Sequence, residues 1–144
     1  MIRRDETNRL GRWGPVVIAP LLGLMAMILP VIVERPARWH DSPLFPMIRN
    51  AVEHVGPWQL VLLFLAGVVL GFLSNRRALQ LGLFSILLLP LAAIAEMFAD
   101  PTSHNLWPFE FVIYGFYGLV VAAGAALAHR VRRRRARPEA ARGV

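Results

Sequence analysis

The chain has 144 residues, of which 56% are hydrophobic, with a mean hydropathy of +0.50 and a formal net charge of +7. That is one domain's length with more apolar surface than a soluble domain of this size can bury, so a bilayer is the expected solvent. Cysteine is absent and all sixteen basic residues are arginine, which excludes disulfide frameworks, thiolate metal sites, iron–sulfur clusters, thiol nucleophiles and lysine Schiff-base chemistry.

Residues 1–13 form a basic tail carrying Arg3, Arg4, Arg9 and Arg12. Gly14 to Val33 then run 20 residues without a charge. At about 1.5 Å per residue this reaches roughly 30 Å, the thickness of a hydrocarbon core. The run is long for a cleaved leader, and Ile32-Val33-Glu34-Arg35-Pro36 offers no small-x-small cleavage site, so the span is expected to be retained. Pro15 suits a first helical turn, whereas Pro20 and Pro30 should kink or end the helix.

In the loop that follows, Leu44, Ile48, Val52 and Val55 recur at helical spacing ahead of Gly56-Pro57. They predict a short amphipathic helix over about 43–55, lying at the membrane interface. Trp58 to Ser74 and Leu79 to Ala95 are the next two charge-free spans, with Pro90 as a further breaker. Only Asn75-Arg76-Arg77-Ala78 separates them, so they must lie side by side in opposite directions. Phe111 to Ala128 is the fourth span, and residues 129–144 form an arginine-rich tail.

Gly67 and Gly71 make a GxxxG pattern in the second span, and Gly118, Ala122 and Ala126 form a small-residue ridge on the fourth. Small residues let helix backbones approach closely, so these two spans are expected to make the tightest contacts. The same surfaces suit a homo-oligomer or a partner membrane protein.

Thirteen arginines fall in the two tails and the 75–78 turn, against three (Arg35, Arg38, Arg49) in the other two loops. This positive-inside bias puts both termini in the cytoplasm and the expected location in a bacterial inner membrane. Trp39, Trp58 and Trp107 would mark the outer interface and Trp13 the inner one. The basic tail suits anionic lipid headgroups. It has no aromatic stacking partners, so no nucleic-acid partner is expected. The expected fold is an all-α integral membrane protein, four transmembrane helices in an antiparallel bundle with a short outer interfacial helix.

The outer loops gather Glu34, His40, Asp41, Glu53, His54, Glu96, Asp100, His104 and Glu110. Glu96 and Asp100 share a helix face if the third helix runs that far, and His104 could fold back over them past Pro101. Glu96, His104 and Asp100 are therefore the catalytic candidates, and Glu96, Asp100, His104 and Glu110 the candidates for a divalent metal. A plainer reading competes. Asp100-Pro101-Thr102-Ser103 reads as a turn, Trp107 as an interface anchor, and Glu110 sits near a helix's positive end, worth about 0.3 to 1 kcal/mol.

No charge falls inside the four spans so drawn, which argues against an ion-coupled carrier, although Tyr114 and Tyr117 could line a pore. Nucleotide, zinc-protease and serine-hydrolase motifs are absent, and all four histidines lie outside the spans, against haem ligation. No cofactor is expected. These observations favour a binding, assembly or accessory subunit that docks partners or lipids, without catalysis. The alternatives are a membrane enzyme acting on a lipid-linked substrate at the outer face, and a small channel or carrier.

Overall fold

The computed structural model describes the backbone of residues 3–34, 44–99 and 107–142, and the side chains of residues 14–33, 44–99 and 108–135. Every regular element among them is a helix: α1 (Arg3–Glu34), α2 (Pro46–Glu53), α3 (Pro57–Leu73), α4 (Ala78–Ile86), α5 (Leu88–Ala99) and α6 (Trp107–Arg142). Gly14–Val33, Ala78–Ala99 and Pro108–Arg135 are long and apolar enough to cross a membrane. A fourth crossing is available if α2 and α3, bent by 104° at the 54–56 break, count as one span.

Proline shapes these helices unequally. α1 runs unbroken through Pro15, Pro20 and Pro30, so none of them ends it. Each ring deletes a single donor, and a long helix in a bundle tolerates that loss. Pro90 does interrupt. It cannot donate to the carbonyl of Ile86, and α4 closes at that residue. Leu87 N–H instead reaches Phe84 O at 3.3 Å, a tighter three-residue turn, before α5 begins.

α6 is the centre of the packing, with its most extensive contacts to α3 and α4, while α1 packs against both of those. Met27, Leu63, Leu70, Leu81 and Val121 are fully buried, and the inner face of α6 sets Tyr114, Tyr117 and Val121 among glycines and alanines, with Ala125 and Ala128 sealed. Glycine sets the spacing. A Cβ on Gly67 would stand 2.0 Å from Val121 O, and one on Gly82 2.2 Å from Gly118 O, so at both places backbone lies against backbone.

Two aspects differ from the sequence reading. Gly67 and Gly71 meet Val121 and Ala125 within this chain, while Gly118 and Ala122 of the expected ridge face Gly82 on α4. The surface of α6 that meets α3 is thus rotated by about one residue from the ridge, a turn of roughly 100°. The arginine-rich segment also continues the α6 helix to Arg142. Arginine is a good helix former, so charge ends the apolar run but not the helix.

Outward-facing side chains complete the picture. Leu21, Met25, Leu65, Val69, Leu87 and Phe116 are between 44% and 56% exposed, a belt that water would not tolerate and lipid would. α2 turns its apolar face inward: Ala51 is fully buried, and Ile48, Val52 and Val55 pack on the core.

Candidate functional site

The docking of α2 creates a polar cluster at one end of the bundle. Glu96, on the last turn of α5, is only 5% exposed. The chain entering α2 donates Phe45 N–H to its Oε1 at 3.3 Å, and Arg49 Nη1 stands 3.9 Å from its Oε2. Arg49 also bonds Glu53 through Nε, one helical turn along α2. From α6, Glu110 accepts a long hydrogen bond from the buried Tyr114 hydroxyl at 3.5 Å. These groups, with Ile48, Val52, Leu89, Ala92 and Ala93, enclose a cavity of about 30 Å³.

Arg49 is the electrostatic hub of this end. Burial works against its charge, but the hydrogen bond to Glu53 and the carboxylates of Glu53, Glu110 and Glu96 outweigh it, holding the guanidinium above its ordinary pKa. It is a fixed cation among three carboxylates.

The candidate residues are therefore divided. Glu96 and Glu110 line one cavity, whereas Asp100 and His104 lie outside the described residues, as do His40 and Asp41. His54 lies at the end of α2 with its Nδ1 3.3 Å from Asn50 O. Among the described residues no three His, Asp or Glu side chains are placed to hold a metal ion. The apolar segment Ala78–Ala99 extends past the charge-free stretch Leu79 to Ala95 and takes in Glu96 near its end, as Pro108–Arg135 takes in Glu110 near its start.

Arg49 and Tyr114 are the members of this cluster that the sequence reading did not place there. Arg49 is separated from Glu96 by 47 positions, and no local pattern links them. The available signal was the Arg49–Glu53 spacing of four on an amphipathic helix, which marks the edge of its buried face.

The opposite end of the bundle holds a second arrangement. α3 stops at Leu73, and its last carbonyls are met by side chains from α6. Arg132 Nη1 donates to Gly71 O at 3.3 Å and Phe72 O at 3.4 Å, and His129 Nε2 lies 3.1 Å from Ser74 O. A carbonyl only accepts, so Nε2 carries the proton. Basic side chains at a helix C-terminus satisfy orphan carbonyls and favour the helix dipole.

A comparison of the chain with models of known families, with curated proteins and with solved structures finds no match. The described residues are those of a helical protein with three spans suited to crossing a membrane, or four if α2 and α3 count as one.

Proposed function

We propose that the chain is a four-span antiparallel membrane bundle, with its termini and the 75–78 turn on the cytoplasmic face of a bacterial inner membrane and α2 at the outer interface. Its role is binding or assembly, without chemistry at the outer cluster. The register of contacts supports the topology. Gly67 faces Val121, Gly71 faces Ala125 and Ser74 faces His129, so residue numbers rise together along α3 and α6. Gly82 meets Gly118 while Glu96 shares a cavity with Glu110, so α4–α5 and α6 run oppositely.

One observation carries the binding reading: the Glu96 carboxylate is held by Phe45 N–H and Arg49 beside a cavity of about 30 Å³. Such a space admits about one water, not a lipid-linked substrate or a hydrated ion. Glu96 then works as a latch that seats α2. Tight glycine faces are occupied inside the chain, so a second protein would dock on the exposed apolar belt instead.

The test is the paired variant Arg49→Leu with Glu96→Leu, which removes both charges and keeps apolar bulk. In cells deleted for the gene, this variant restores the wild-type phenotype on the binding reading. Loss of rescue with normal membrane insertion and helix content would mean that the Glu96 carboxylate does chemistry or carries an ion.

A further inference from the structure

Helix capping explains Arg132 and His129 at the end of α3, but it does not explain the cleft that they line. Asn75, His129, Arg132 and Arg133 surround a space of about 280 Å³, several times the share of one water and ample for a phosphate group. Two of its walls are fixed by the bonds to Gly71, Phe72 and Ser74 carbonyls. Those bonds use only Nη1 of Arg132, which leaves the Nε and Nη2 donors of the fork. Neither Arg133 nor Asn75 has a hydrogen bond or ion pair among the described residues, and Arg133 is exposed.

Charge and depth both point to the ligand. Arg130, Arg134 and Arg135 continue the same helix and Arg76 and Arg77 follow Asn75, while the carboxylates Glu53, Glu96 and Glu110 cluster around the α2 end. The cleft opens where the apolar runs of α3 and α6 stop. Leu73, 64% exposed, and Leu127, 47% exposed, come just before it in their helices and keep this end of the bundle apolar on its surface. A guanidinium fork matches the paired oxygens of a phosphate.

We propose that this cleft is a stoichiometric site for the phosphate of an anionic lipid headgroup. Arg133 and Arg132 supply charged donors, Asn75 a neutral donor, and the caps on α3 hold the wall in place. The proposal rests on the membrane-spanning reading above and goes beyond it: a single pocket binds one headgroup, where an arginine tail alone would only attract anionic lipid diffusely.

The experiment uses the full-length protein in a nonionic detergent and phosphate-free buffer at 0.15 M salt. Monomeric dihexanoyl phosphatidic acid, dihexanoyl phosphatidylcholine and inorganic phosphate are each titrated in by calorimetry. Saturable one-to-one binding of the phosphatidic acid is expected, with much weaker binding of the other two. Arg133→Gln should weaken it about tenfold, the scale of one charge-assisted hydrogen bond. Arg135→Gln, the same charge change outside the cleft, should weaken it less than about twofold at that salt. Equal losses in the two variants would reduce the site to diffuse attraction and overturn the proposal, as would an absence of saturable binding. Inorganic phosphate binding as tightly as the lipid would overturn the lipid assignment in favour of a soluble phosphate. Labelling of engineered cysteines across the membrane tests the span reading separately, so the two can fail independently.

Discussion

Replacing Gly67 by alanine adds one methyl group where two helix backbones already touch. That Cβ would stand 2.0 Å from Val121 O and 2.8 Å from Val121 C, both backbone atoms that cannot rotate away. An ordinary carbon–oxygen contact is about 3.4 Å, so α3 and α6 must part locally by roughly 1.4 Å. A gap of 0.5 to 1 Å already forfeits about a quarter to a half of the dispersion energy of the atoms it separates. Overpacking of this kind costs about 3 kcal/mol at the upper end, and alanine's better helix propensity returns about 1, leaving a net loss of about 2 kcal/mol. Gly115 is the internal control. Nothing lies within 4 Å of its added Cβ, so Gly115→Ala should gain up to about 1 kcal/mol. Reversible unfolding by SDS in mixed micelles, followed by circular dichroism, measures both. The reasoning fails if Gly67→Ala proves as stable as Gly115→Ala.

Three further expectations follow from the same contacts. Arg49→Leu alone removes a cation beside a carboxylate that is 5% exposed and should cost about 2 kcal/mol in the same assay, with most of it regained when Glu96→Leu is added; additive losses would mean the two residues are not coupled. Pro90→Ala lets residue 90 donate to Ile86 O, so amide exchange across residues 87–91 should slow and stability rise by about 1 kcal/mol, whereas unchanged exchange would mean that the break has another cause. Arg132→Gln removes two long bonds to the end of α3, so it should lower stability by about 1 kcal/mol and speed exchange at the Ser74 amide, which now bonds Leu70 O at 2.9 Å.

How far the sequence could be read depended on whether a property was local. A charge-free run of sufficient length is a one-dimensional signal, and the long helices among the described residues were legible in it. Pro90 was legible as a breaker because its effect reaches only four residues back, but the same rule marked Pro20 and Pro30, and α1 runs on through both. Helix ends were less so: α5 continues through Glu96 to Ala99, and α6 carries its arginines on the helix to Arg142. Small-residue spacing announced close approach, yet which face met which helix depended on the rotation of α6, and Gly118 turned toward Gly82 instead of α3. In the site, Glu96 and Glu110 could be shortlisted by type and by their places at the ends of apolar runs. Arg49 and Tyr114 could not, because they reach the cluster through the fold-back of α2 and the register of α6, which no neighbouring residue encodes. His129, which the sequence places only outside the apolar spans, acts as a cap through its contact with Ser74, 55 positions away.

The proposed four-span bundle, with its arginine-rich end facing the cytoplasm, is directly measurable because the chain has no native cysteine. Single cysteines placed at Ser42, Ala78, Ser103 and Ala141 are treated in intact cells with a membrane-impermeant maleimide, before and after permeabilisation. That topology requires Ser42→Cys and Ser103→Cys to react in intact cells and Ala78→Cys and Ala141→Cys only after permeabilisation. Labelling of Ala78→Cys from outside, or of Ser42→Cys and Ser103→Cys from opposite sides, would contradict it.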